Sequence, residues 1–266
     1  MKIGCIGLGQ MGATLARIIA KSQPSQDLLL ANRSPQKAID LAQEIGGRAV
    51  DNEGVFREAD VIVLGVKPHQ FADLLTQFAF ILEERPSLLL VSMAAGLDLA
   101  SLGRLTAAKH RWLRIMPNTP LAVGQGVVTY AGDAKVTQSD ESLLKDCLSQ
   151  AAQVVKLEEG QLDAATALAG CGAAFVYQFI VALCDGGVKN GLPRDLALRL
   201  ASQTVMGAAK MVLETDQHPA VLKDQVCSPG GSTIAGVASL ESSAFRGATI
   251  AALDAAYRRT QALGKK

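Results

Sequence analysis

The chain is poor in aromatic residues, in histidine, in paired cysteines and in charge of either sign. Phe, Trp and Tyr make up 4% of its 266 residues, which argues against an aromatic-rich binding surface. Its 26 Lys and Arg nearly balance 25 Asp and Glu, for a net charge of +1. With no basic run either, neither a nucleic-acid partner nor an acidic membrane surface is expected. No apolar stretch reads as long enough to span a membrane. Gly4, Gly7 and Gly9 interrupt any leader-like apolar run at the start. The five cysteines, Cys5, Cys147, Cys171, Cys184 and Cys227, contain no C-x-x-C pair. They read as small, mostly buried thiols of a cytoplasmic protein, not as a disulfide frame. His69, His110 and His218 lack ligand spacing, so no metal site is expected, and each reads as a surface or helix-end residue.

What is plentiful is aliphatic. Hydrophobic residues reach 49%, with 25 glycines, a mixture suited to helices packed closely on a parallel sheet. The length fits one large or two modest domains. The first twelve residues, MKIGCIGLGQMG, organise the rest. Ile3, Cys5 and Ile6 form a short buried-strand run, and Gly7, Gly9 and Gly12 fall at the G-x-G-x-x-G spacing before helix-like sequence. That is the dinucleotide-binding fingerprint. Gly7 permits a tight turn, Gly9 lets backbone approach a pyrophosphate, and Gly12 allows close helix–strand packing. The backbone from Gly7 through Leu8, Gly9, Gln10 and Met11 to Gly12 would line the phosphates, with the positive end of the helix dipole behind it.

An acidic residue about twenty positions beyond the last glycine would hold a ribose 2′-hydroxyl. Asn32, Arg33 and Ser34 stand there instead. A guanidinium and hydroxyl favour a 2′-phosphate, so NADPH is preferred, with NADH the alternative. Asn32 and Ser34 read equally as turn and cap residues for the helix from Pro35. Further on, strands read at Asp27–Ala31, Arg48–Val50, Asp60–Val66, Leu88–Ser92, Arg111–Ile115, Val127–Tyr130 and Gln153–Lys156, with helices between them. One helix is expected from beyond Pro68 to about Glu84. Val66, Lys67 and Pro68 follow a central strand, at the carboxyl edge where open α/β sheets bind ligands. The stiff segment Pro117-Asn118-Thr119-Pro120 is expected at the nicotinamide end. Strand signals stop at 158, which sets the expected domains: 1–157, a doubly wound parallel α/β sheet, and 158–266, all helical.

A second glycine-rich stretch runs from Val226 to Glu241. Ser228-Pro229-Gly230-Gly231 reads as a turn, and Ser232-Thr233 as the start of a helix. Such a helix start suits a small carboxylate. It reads equally as a plain loop with a Ser/Thr cap.

Resemblance decides between those readings. GLGQMG (7–12), VKP (66–68), RIMPNTP (114–120), DGGVKNGLPRDLA (185–197), QTVMGAAKM (203–211) and SPGGSTIAGVASLE (228–241) together resemble the pyrroline-5-carboxylate reductase family. The resemblance implies an N-terminal Rossmann domain followed by a helical dimerisation and substrate domain. It also implies a homodimer, with a decamer as further assembly, and NADPH-dependent reduction of 1-pyrroline-5-carboxylate to L-proline, the last step of proline biosynthesis. By the same resemblance Asn32, Arg33 and Ser34 meet the 2′-phosphate, Asn52 and Lys67 line the cofactor groove, and Asn118 faces the nicotinamide. Ser228 and the N–H groups of Gly231, Ser232 and Thr233 hold the substrate carboxylate, and the Thr233 hydroxyl bonds the ring nitrogen. No histidine or lysine need act as a strong acid, because the imine nitrogen takes its proton from solvent.

The chain departs from the family pattern in two places. Ala169-Gly170-Cys171-Gly172-Ala173-Ala174-Phe175 stands where the family commonly has S-G-S-G-P-A-Y, and Val181 where it often has Glu. These departures keep open a non-catalytic, NADPH-binding regulatory relative. An oxidoreductase of the β-hydroxyacid dehydrogenase type would want a basic residue in the first substrate-domain helix. Phe175–Leu183 carries none.

Overall fold

In the computed structural model, residues 1–106 and 109–263 are described. Strand and helix alternate first: β1 (Ile3–Ile6), α1 (Gln10–Ser22), β2 (Leu28–Ala31), α2 (Pro35–Ile45), β3 (Arg48–Ala49), α3 (Asn52–Glu58), β4 (Val61–Leu64), α4 (Phe71–Gln77) and α5 (Ala79–Glu84). β5 (Leu89–Ser92), α6 (Leu99–Arg104), β6 (Arg111–Pro117), β7 (Gly126–Gly132), α7 (Gln138–Leu148) and β8 (Ala152–Lys156) complete the series. The single helix expected up to Glu84 is two, because Phe78 leaves helical geometry at φ −111°, ψ 17°. Its ring stacks on Phe56 at 5.1 Å between centroids.

The eight strands form one sheet, ordered β3-β2-β1-β4-β5-β6-β7-β8. Side-chain alternation splits the apolar residues between its faces. Ile3, Cys5, Leu28, Leu30, Val61 and Val63 pack with α1 and α2 on one side. Ile6, Leu29, Ile62, Leu64 and Trp112 pack with Phe56 and Phe71 on the other. Both faces are covered, so the central strands are apolar throughout, and each buried Leu, Ile or Val contributes about 1.5–3 kcal/mol. Strand order reverses between β1 and β4, the switch point that opens a crevice at their carboxyl ends.

The sheet is parallel from β3 to β6 only. β7 runs antiparallel to β6, and β8 pairs parallel with β7. The cause is the connection: Asn118–Gln125 holds a short 3-10 turn (Thr119–Val123) and no crossover helix, so the chain must double back.

The remainder is helical among the described residues: α8 (Leu162–Ala165), α9 (Gly172–Lys189), α10 (Arg194–Thr215), α11 (Pro219–Gln225), α12 (Ser232–Ser242) and α13 (Phe245–Leu263). Strands end at Lys156, but the compact units divide later, between Cys171 and Gly172. The second unit is Gly172–Ala255, and the chain from Ala256 counts with the first. A π-helical turn, Thr166–Cys171, joins α8 to α9. The expectation that no stretch could span a membrane is thereby corrected. Glu159–Lys189 forms one 31-residue helical run that contains an 18-residue window of mean hydropathy 1.9, long and apolar enough by length and composition. The π turn carries the helix on past Gly170.

Candidate active site

The turn after β1 has the shape its glycines demand. Gly7 lies at φ +91°, and a Cβ there would sit 2.7 Å from the Gly65 carbonyl carbon. A Cβ on Gly12 would strike the Gly7 carbonyl oxygen. Gly9 is the opposite case: beyond its own adjoining backbone and chain neighbours, nothing lies within 4 Å of where its Cβ would stand. α1 begins there without a side-chain cap, leaving the N–H groups at Gln10 and Met11 to an external acceptor. An open cradle over an uncapped helix start fits a dinucleotide pyrophosphate. The Leu8 side chain is buried in the core, so only its backbone belongs to the turn.

At the end of β2, Asn32 Oδ1 accepts the Leu8 N–H at 2.9 Å, and Asn32 Nδ2 donates to the Ser34 carbonyl at 3.2 Å. Its amide braces the glycine turn, where the resemblance had it meeting a phosphate. Arg33 is exposed, and Ser34 starts α2 with its hydroxyl making no cap bond. These two remain available for a 2′-phosphate. Asn52 opens α3, whose cap is Asp51. Val66 is half-buried, while Lys67 and Pro68 are exposed beyond β4.

Asn118 is 8% exposed. Its Oδ1 accepts the Val127 N–H at 2.8 Å, and its Nδ2 donates to the Ala169 carbonyl in the π turn at 3.1 Å. The amide expected to face the nicotinamide is thus turned into the fold. Arg114, on β6 just before it, was not singled out from the sequence. It is 4% exposed and pairs with Asp163 at 3.0 Å and Glu159 at 3.7 Å. Glu159 also accepts the Leu99 N–H at 2.6 Å. An arginine amid Ile and Met in a central strand was the available signal, since so buried a charge needs partners.

The second unit holds its own glycine turn. The Gly231 N–H donates to the Ser228 carbonyl at 3.0 Å. Pro229 and Gly230 occupy the corners, and Gly230 is at φ +71°, the arrangement of a type II turn. A Cβ on Gly231 would strike Ser228 Oγ. α12 starts at Ser232 with no side-chain cap, and Ser232 and Thr233 are exposed. The structure therefore brings Ser228, Gly231, Ser232 and Thr233 together around exposed hydroxyls and the free N–H donors of Ser232 and Thr233; the Gly231 N–H, expected to join them, is taken by the turn itself.

Of the expectations about titratable groups, the one for His110 changes and the one for the cysteines, mostly buried, holds. His110 is fully buried, not at a surface or helix end. Its Nδ1 accepts the Leu88 N–H at 3.1 Å, and its Nε2 lies 3.0 Å from the Leu82 carbonyl. Burial, the largest cause, holds its pKa below the usual value. Cys5, Cys147 and Cys184 are buried, and Cys171 and Cys227 are half-buried. Burial pushes the Cys5 thiol up to about 12, so it is inert. A cavity of about 720 Å³ along α1, lined by Arg17, Lys21, Leu121, Val123 and Gln150, shares no residue with either glycine turn.

Residues 159–263 match the family model described as pyrroline-5-carboxylate reductase dimerisation. Residues 2–96 match the one described as NADP oxidoreductase, coenzyme F420-dependent. A pyrroline-5-carboxylate reductase of Glycine max is 41% identical over 98% of this chain and 95% of its own. A solved pyrroline-5-carboxylate reductase of Coxiella burnetii has a TM-score of 0.92 at 32% identity, covering 100% of this chain and 99% of that one. A pyrroline carboxylate reductase of Plasmodium falciparum, solved with NADP bound, has a TM-score of 0.88 at 34% identity, covering 99% and 98%.

Proposed function

Because this chain belongs to the pyrroline-5-carboxylate reductase family, we infer that it reduces 1-pyrroline-5-carboxylate to L-proline with NADPH. The observation that carries the reading is a matched pair of glycine turns, each opening an uncapped helix. One stands at Gly7–Gly12 before α1 in the first unit, the other at Ser228–Gly231 before α12 in the second. The first fits a pyrophosphate and the second a small carboxylate.

NADPH, when bound, supplies the hydride that reduces the C=N bond. The chain's part is binding and orientation. The α1 N–H groups and the space over Gly9 take the pyrophosphate, Arg33 and Ser34 the 2′-phosphate, and Asn52 and Val66–Pro68 the groove beyond. Asn32 keeps Leu8 in place behind the phosphates. Ser228 and the N–H groups of Ser232 and Thr233 hold the substrate carboxylate, while the Gly231 N–H is kept by the Ser228 carbonyl, which closes the turn. The Thr233 hydroxyl accepts from the ring N–H once the nitrogen has taken a solvent proton, which steadies the amine as it forms. The helical half is a self-association module. Its exposed apolar residues, among them Tyr177, Leu200, Met211 and Leu213, are covered by a second copy, not by lipid, and a decamer is the assembly we propose. Five free cysteines support placing the enzyme in the reducing cytoplasm, which subcellular fractionation tests.

The test is optical: NADPH oxidation with racemic 1-pyrroline-5-carboxylate, repeated with NADH. Imine-dependent oxidation yielding L-proline supports the reading, with NADPH the better donor. Tight NADPH binding without imine turnover overturns it in favour of a regulatory role.

A further inference from the structure

We propose that Asn118 is a positioning residue, fixing the π turn from which α9 departs against the carboxyl edge of the sheet. The proposal rests on the reductase reading for its kinetic consequence only. By strand alternation Trp112, Arg114, Met116 and Asn118 project from one face of the chain at β6. That face holds the run leading into α9 at three successive places. Trp112 shares a buried cluster with Leu162, Arg114 pairs with Glu159 and Asp163, and Asn118 binds the Ala169 carbonyl.

Asn118 makes the last of these contacts from a fixed seat. Its N–H donates to the Val127 carbonyl, and its own carbonyl accepts from the Leu121 N–H, both at 3.2 Å. Its Oδ1 takes the Val127 N–H at 2.8 Å. With backbone and one amide atom locked onto the β6–β7 turn, the direction of Nδ2 is set, and Ala169 is held where it points. A π turn carries its carbonyls out of the regular helical ladder, so an outside donor settles its place. Only a side chain with a donor and an acceptor on one rigid plane serves both partners. The seat lies just past Pro117, at the strand edge that carries the glycine turn, so a loosened π turn would disturb geometry needed for turnover, not nucleotide affinity.

Asn118→Asp keeps the size and the acceptor for Val127 but sets an oxygen against the Ala169 carbonyl. We expect NADPH Kd to stay within about twofold of wild type while kcat falls on the order of tenfold or more. Hydrogen exchange should quicken at residues 166–175 and stay unchanged at 7–12. Should that variant not fold, Asn118→Ser, which shortens the reach without adding charge, carries the same readouts. A Kd that rises in step with the loss of kcat/KM would make Asn118 a cofactor contact and overturn the proposal, as would unchanged exchange at 166–175. Wild-type enzyme that fails to reduce the imine would sink the reductase reading alone, because the exchange measurement needs no turnover.

Discussion

Thr233 stands in the first turn of α12 with its hydroxyl exposed and engaged by no described protein group. Such a side chain contributes nothing to folding that its loss would reveal, so its removal reports on chemistry. Thr233→Ala should lower kcat/KM for the imine by roughly 10- to 100-fold, leave NADPH Kd unchanged, and be largely rescued by Thr233→Ser. An alanine variant of wild-type kcat/KM would remove its assigned role. His110 works the other way, holding structure without chemistry. Burial lowers its pKa in the folded chain below 6.5, so the unfolded chain binds the proton more readily. Its stabilisation is fully present above about pH 6.5 and is lost as pH falls through the lower folded value. Urea midpoints should therefore drop as pH falls below about 6.5, and His110→Asn should flatten that dependence. A wild-type midpoint that stays flat as the solution is acidified would show that the ring does not titrate with unfolding. Spacing revealed neither His110 nor Arg114, because a buried polar residue is defined by partners far away in sequence. Asn118 and Ala169, or His110 and Leu82, meet only once the strands are ordered.

Helix and strand starts were more legible, since glycine, proline and apolar runs act locally. The glycine turn was readable to the residue, and its parts should fail in different ways. A Cβ at Gly12 collides with the Gly7 carbonyl, so Gly12→Ala should destabilise the fold by roughly 1–3 kcal/mol, as overpacking does. A Cβ at Gly9 meets nothing within 4 Å beyond its adjoining chain, so Gly9→Val should keep its melting temperature within about 2 °C and lose most NADPH affinity. Equal destabilisation by both would mean that the space over Gly9 is not a ligand cradle. Beside the turn, Arg33→Ala should raise the KM for NADPH roughly tenfold and hardly change that for NADH, because only the 2′-phosphate uses the guanidinium. Less legible were features set by connections. β7 and β8 reverse because an eight-residue link cannot cross over, and the π turn carries Glu159–Lys189 on as one run. Hydropathy windows see composition, not the length of link a parallel strand requires.

At the scale of the whole molecule the two units bury their apolar residues very differently. The first unit supplies nearly all the buried core, whereas the second buries Cys184, Ala197 and Ala201 among its described hydrophobic residues. Tyr177 is 57% exposed, Met206 58% and Leu213 77%. Apolar surface on this scale is incompatible with a stable isolated second unit and marks an association face. Folding of the helical half is then linked to assembly, so stability must depend on protomer concentration. For a dimer, each tenfold dilution lowers the apparent free energy by about 1.4 kcal/mol of dimer, or about 0.7 per chain, which for a chain of this size shifts the melting temperature by about 1–3 °C. Calorimetry across a hundredfold concentration range should show the doubled shift. Leu200→Glu, at a half-exposed position on α10, should lower the mass seen by light scattering and the melting temperature together, while the isolated residues 1–171 still bind NADPH. A melting temperature independent of concentration, with monomer mass throughout, would refute the linkage and leave a membrane as the solvent for the Glu159–Lys189 run.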